Sequence, residues 1–212
     1  MQWTQLPLGA VQANAYIIEN ENGEAVIIDP GGEAERLISY IESKSLKPTA
    51  VLLTHAHFDH IGAVDEVRNH WSIPVYLHGA EKDWLQDPQK NGSAFFPAAD
   101  GGTIVKPADE IIEREGSLHV GPFTFEVLET PGHSPGSVSF YNRDSGIVFS
   151  GDALFAGSIG RTDLYAGDHG ELIESIENKL LPLPDKTIVA PGHGPETTVE
   201  TEKQSNPFLS GL

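Results

Sequence analysis

Apolar residues along this chain fall into short runs separated by glycine, proline and asparagine, which read as strands and helices joined by turns. Asn14 to Glu19 reads as a strand, Glu21-Asn22-Gly23 as a turn, and Ala25 to Asp29 as the returning strand. Pro30-Gly31-Gly32 breaks the chain before a helical pattern over Glu33 to Lys44, carried by Leu37, Ile38 and Ile41. Thr49 to Thr54 is a buried strand by its continuous apolar character. A helix over Ile61 to Trp71, a strand at Val75 to Leu77 and a short helix over Gly79 to Gln86 follow. Residues 87–108 hold Gly92, Pro97, Gly101, Gly102 and Pro107, which predicts a long irregular loop of the kind often tied to function.

The second half begins again with strands, at Glu110–Glu113, Phe123–Glu129, Ser137–Tyr141 and Ile147–Ser150. Asn142 to Gly146 makes a hairpin loop between the last two. A helix over Gly170 to Leu181, a strand over Thr187 to Ala190 and a short helix from Thr197 to near Pro207 complete the pattern. The halves share this order but no sequence repeat, and no stretch reads as a linker. A single domain over 1–212 is the expectation.

Composition narrows the chemistry. The 212 residues include no cysteine, so neither a disulfide framework nor a thiolate metal site is available. A cytoplasmic location is expected, the N-terminus showing no basic-then-apolar signal. No run approaches the ~18 apolar residues of a membrane span. The net charge of −18 argues against nucleic acid, whose phosphates need clustered Lys and Arg.

The histidines then become informative. Thr54-His55-Ala56-His57-Phe58-Asp59-His60 follows an apolar strand and opens a helix. Extended backbone points His55 and His57 to one side, and the turn brings Asp59 and His60 to the same region. Imidazole and carboxylate are the ligands zinc takes without thiolate. The alternative is a His-rich loop with Asp59 as helix N-cap. Pro131-Gly132-His133 and Pro191-Gly192-His193 likewise follow strands, with Gly132 and Gly192 letting the backbone turn sharply. Asp152, at the end of the Phe149-Ser150-Gly151 strand, is costly to bury unless it caps, pairs or binds metal.

The T-H-x-H-x-D-H run at 54–60, the Gly-His pairs at 132–133 and 192–193, and Gly151-Asp152 together resemble the metallo-β-lactamase superfamily. The resemblance covers nearly the whole chain and implies an α+β fold, a four-layer αββα sandwich. It implies two divalent metal ions, zinc first, with iron or manganese as alternatives. One ion would take His55, His57 and His133, the other Asp59, His60 and His193, and Asp152 would bridge them. Asp59 would also orient the attacking hydroxide, which two metals generate by lowering a water pKa toward ~7.

Within the superfamily, Gly157 to Asp163, Pro191 to Pro195 and Asn206-Pro207-Phe208 are similar to short hydroxyacylglutathione hydrolases, the glyoxalase II group. That likeness implies hydrolysis of an S-2-hydroxyacyl thioester, such as lactoyl glutathione, a small-molecule substrate. Full-length glyoxalase II adds a helical region whose basic residues hold glutathione. Only 19 residues follow His193 here, with Lys203 the sole basic one, so the thiol carrier stays open. Arg161 either contacts an anionic substrate or pairs with Asp163. Rival implications of the resemblance are a mono-iron persulfide dioxygenase using His55, His133 and Asp152, and a lactonase using all seven ligands. A β-lactamase is set lower because many use a cysteine ligand. His70, His78, His119 and His169 match no ligand position and read as surface or loop residues.

Overall fold

The structure, a computed structural model, describes residues 1–96 and 102–209. Residues 97–101 of the 87–108 loop, and with them Pro97 and Gly101, lie outside the described residues. The chain divides into two compact units, Met1–Glu113 with His119–Phe123, and Arg114–Leu118 with Thr124 onward.

The first unit holds a six-stranded sheet in the order β1-β2-β3-β4-β5-β6. Its strands are β1 (Gln2–Leu8), β2 (Ala13–Glu19), β3 (Glu24–Ile28), β4 (Lys47–Leu52), β5 (Val75–His78) and β6 (Glu110–Ile112). β1, β2 and β3 form an antiparallel meander, while β4, β5 and β6 add in parallel. Parallel pairing requires crossovers, and the chain supplies them as α1 (Ala34–Ser43) and the pair α2 (Phe58–Ile61) and α3 (Val64–Trp71). Leu37 and Ile41 of α1 and Val64 and Val67 of α3 pack with Ile17, Ile27, Val51 and Val75 in one core. Val26, Ile28 and Leu52, the alternate positions of the same strands, are buried as well. Strands buried on both faces read as unbroken apolar runs, which is why β3 and β4 were visible in the sequence.

Several expectations are corrected here. The single helix over 61–71 is two, because the chain breaks at Gly62-Ala63. A Cβ on Gly62 would lie 2.4 Å from the Gly31 carbonyl oxygen, and the Ala63 N–H donates to Pro30 O instead. The short helix over 79–86 is a pair of 3-10 turns, Gly79–Glu81 and Trp84–Gln86. The strand at 110–113 belongs to this first sheet, parallel to β5, rather than opening the second half. β1 carried no alternation strong enough to be read.

The second sheet has the order β14-β13-β10-β9-β8-β7. Its strands are β7 (Gly116–Val120), β8 (Phe123–Glu129), β9 (Val138–Asn142), β10 (Ile147–Gly151), β13 (Ile188–Pro191) and β14 (Thr197–Thr198). The hairpin β11 (Leu154–Phe155) and β12 (Ser158–Ile159) stands apart as a two-stranded sheet. α4 (His169–Ser175) runs on as a π-helical segment, Ile176–Leu180, and α5 (Val199–Ser205) follows β14. Asp168 caps α4 by accepting from the Glu171 N–H at 3.0 Å. Leu172, Ile176 and Leu180 pack with Tyr141, Val148 and Val189 to form this unit's core.

Candidate metal centre

In the first unit, four candidate donors come from the segment after β4: His55 and His57 from the turn, Asp59 and His60 from α2. His55, His57 and His60 are buried and Asp59 is half-buried. The His55 ring centroid lies 4.8 Å from that of His57 and 4.2 Å from that of His60. His57 is the N-cap position of α2, in extended conformation, and Asp59 sits in the helix's first turn. The N-cap alternative for Asp59 is therefore not what the chain adopts.

A buried carboxylate orients this turn. Asp29 is 1% exposed and accepts from the Thr54 N–H at 2.8 Å and the Thr54 hydroxyl at 2.6 Å. Its Oδ2 also lies 2.9 Å from His60 Nδ1. Thr54 Oγ1, its own proton given to Asp29, stands 3.0 Å from His55 Nδ1. Asp29 therefore sets both rings: each Nδ1 carries the proton, and each Nε2 presents its lone pair. A second buried acid, Glu81, accepts from the Ala56 N–H at 2.6 Å and holds the backbone between the first two histidines.

In the second unit, three donors come from three separate strand ends. His133 follows β8, Asp152 follows β10 and His193 follows β13. One oxygen of Asp152, Oδ2, lies 3.6 Å from His133 Nε2 and 3.6 Å from His193 Nε2. Two donors each ~2.1 Å from a tetrahedral ion stand ~3.4 Å apart, so both spacings suit a shared cation. The 3.9 Å between His60 Nε2 and Asp59 Oδ2 is near the same range. Neutral imidazole and carboxylate without thiolate is a donor set that fits a borderline divalent ion, and donor clusters suited to two ions are present.

The braces here are backbone groups. His133 Nδ1 donates to the Arg161 carbonyl at 2.7 Å, which puts the ring's lone pair on Nε2. That carbonyl comes close only because Gly160 has no side chain: a Cβ there would sit 1.8 Å from the Asp152 carbonyl oxygen. Gly132 does adopt the left-handed side of the map, at φ 126°, whereas in the later turn it is Gly194, at φ 77°, rather than Gly192. The Arg161 side chain forks onto Asp163 through Nε and Nη2, both at 2.7 Å. That pair raises the guanidinium pKa and holds the Asp163 carboxyl down at about 2. Of the two readings of Arg161, the structure displays the ion pair. The 157–163 segment is tied to the end of the chain, since Glu202 accepts from Gly157 N and Asn206 donates to Ser158 O.

The other histidines stand in other settings. His70 pairs with Glu42, His78 caps a 3-10 turn through Nδ1, and His119 and His169 are exposed. Sequence reasoning missed Asp29, Glu81, Gly160 and the Arg161 carbonyl. Asp29 had a usable signal: like Asp152, it is an acid ending an apolar strand.

The metallo-beta-lactamase superfamily model matches residues 8–193. The chain belongs to that superfamily. Its fold is the superfamily's αββα sandwich, with mixed sheets flanked by helices. A metallo-beta-lactamase relative of known structure, the B3 enzyme BLEG-1, is 57% identical with a TM-score of 0.96, over 99% of this chain and 100% of that one. TTHA1623, solved in a di-iron-bound form, is 44% identical with a TM-score of 0.84, over 97% of this chain and 100% of that one. Hydroxyacylglutathione hydrolase GloC of Haemophilus influenzae is 41% identical, over 97% of this chain and 96% of that protein. Superfamily membership and the clustered donors together support a metal-dependent hydrolase. No helix among the described residues is long and apolar enough to cross a membrane.

Proposed function

We propose that this chain is a two-metal hydrolase that cleaves S-2-hydroxyacyl thioesters, of which lactoyl glutathione is the type, to the acid and the free thiol. The observation that carries this reading is Asp152, whose single oxygen stands equally far from His133 and His193. A carboxylate so placed suits a bridge between two cations. His55, His57 and His133 would hold one ion, Asp59, His60 and His193 the other, zinc in each case, within one domain over 1–212. GloC, alike over nearly its full length, supports the thioester as substrate.

Two such ions supply Lewis acidity and a water whose pKa falls toward ~7. The protein's own part is orientation. Asp29, Thr54 and the Arg161 carbonyl each fix an imidazole tautomer, and Asp59 aligns the attacking oxygen by accepting its proton in a hydrogen bond. The departing thiolate, with a parent pKa of about 8.5, leaves without a general acid. That agrees with a donor-rich site in which no separate acid was read.

A second reading has its own support. BLEG-1 is a B3 metallo-beta-lactamase at 57% identity over 99% of this chain, which supports β-lactam opening as the second reading. Zinc-loaded protein, assayed on S-lactoylglutathione and on a cephalosporin, separates the two. The thioester should be turned over with kcat/KM of at least ~10⁴ M⁻¹s⁻¹, about a hundredfold above the β-lactam. Preference for the cephalosporin, or no thioester turnover, contradicts the proposal.

A further inference from the structure

The first unit contains a cavity of about 180 Å³ at the edge of its donor set. Asp59 lines it, together with Ala10 and Val11 of the β1–β2 turn, Phe58, Phe96 and Thr103, over a floor of glycine backbone. The walls are built rather than incidental. The Phe58 and Phe96 rings stand 4.8 Å apart, and the Phe58 N–H donates to Asn91 O. Asn91, fully buried, donates to the Thr103 carbonyl, and Ser93 Oγ accepts from the Thr103 N–H. On the other wall Glu33 accepts from the Gly9 N–H and Gln12 donates to Gly9 O, which pins the turn carrying Ala10 and Val11.

Size and charge restrict the occupant. A dry cavity of ~150 Å³ holds one benzene, so this one takes roughly six non-hydrogen atoms. Pockets for drug-sized ligands start at ~300 Å³. A tripeptide carrier is too large, whereas a lactoyl group, with five non-hydrogen atoms, fits. Among the described lining residues none is lysine or arginine, and the one acid, Asp59, is assigned to a metal, so no side chain of the lining is there to pair with an anionic group. The partner of this chemistry is a short, neutral hydrocarbon chain.

We propose that this cavity is the acyl subsite, seating the hydrocarbon end of the substrate's acyl group against Val11, Phe58 and Phe96. The proposal rests on the acyl-hydrolase reading above and adds to it a chain-length selectivity set by the β1–β2 turn and by Phe96 and Thr103. Burying each methylene is worth ~0.8 kcal/mol, or about fourfold in kcat/KM.

The test takes acetyl, propionyl, butyryl, hexanoyl and octanoyl thioesters of N-acetylcysteamine with zinc-loaded protein. Efficiency should climb about fourfold per carbon and stop near six non-hydrogen atoms. Val11→Trp, which fills the cavity from its exposed rim, should cut the butyryl-to-acetyl ratio at least fivefold. Phe96→Ala should move the limit to longer chains. A flat profile, the same in wild type and variants, overturns the proposal while leaving the hydrolase reading intact. Should no thioester be turned over, the thioester reading fails, and methyl NMR of the zinc-loaded protein with butyramide decides the cavity by itself. Shifts at the Ala10 and Val11 methyls sustain it, and their absence ends it.

Discussion

The donors of the first unit arrive within six consecutive residues and are braced by buried acids. Those of the second arrive from three strand ends separated by 19 and 41 residues and are braced by backbone. In the first, Asp29 reaches the turn through Thr54 and His60, and Glu81 holds Ala56. In the second, the Arg161 carbonyl orients His133, and Gly160 allows the close approach. A contiguous run is positioned by local geometry, so side chains suffice to tune it. Donors from separate strands depend on register and on the path of the backbone, so their weak point is a missing Cβ rather than a missing charge.

The largest effect should come from the backbone side of this comparison. Gly160→Ala puts a methyl group into the Asp152 carbonyl, an overlap that only backbone movement can relieve. A loss of about 3 kcal/mol is expected, as for severe overpacking. Thermal or urea unfolding measures it, and metal content should fall with stability. A variant of native stability and full metal content would show that the backbone there yields freely.

The side-chain brace should give a smaller and more selective effect. Asp29→Asn keeps the shape but removes the charge that favours Nδ1–H on His60 and, through Thr54, on His55. Metal affinity should weaken roughly 10- to 100-fold, the usual cost of a lost outer partner. Competition with a chelator reads this directly. If affinity is unchanged, the turn between β4 and α2 is fixed without Asp29.

This contrast also governed what the sequence disclosed. The run at 54–60 and the strands around it are legible because their information is local: β3 and β4 are continuous apolar runs, and the donors share one turn. His133, Asp152 and His193 were found as acids and imidazoles at strand ends, but the groups that orient them were not. The Arg161 carbonyl carries no side-chain signature, and Gly160 looks like any loop glycine. Asp29 acts on His60 across 31 residues of chain, a distance that only the parallel pairing of β3 with β4 closes. β1 escaped because it is a half-buried edge strand containing Pro7. β11 and β12 have two residues each, too few to show a period. The helix break at Gly62 depends on Gly31, a contact between loops.

The smallest effect belongs to the exposed pair beside the second unit's donors. Asp163, with its pKa lowered to about 2 by the Arg161 hydrogen bonds, favours the folded state fully above its ordinary value of 3.8. That contribution disappears as pH falls from 3.8 toward 2. Asp163→Asn should therefore cost metal-free protein slightly at pH 5 to 7 and nothing near pH 2, and 1 M salt should shrink even that. The difference between the unfolding midpoints, followed against pH, checks both the sign and the window. A large, salt-independent loss would mean that the pair supports the His133 turn rather than decorating it.

Metal stoichiometry tests the central claim most directly. The proposal gives seven donors to two cations, with Asp152, one oxygen of which is equidistant from two imidazoles, as the bridge. Elemental analysis of protein reconstituted with zinc and freed of excess metal should give two ions per chain, and Asp152→Ala, deprived of the bridging charge, should fall below one. A single tightly held ion per chain, unchanged in Asp152→Ala, would contradict the account.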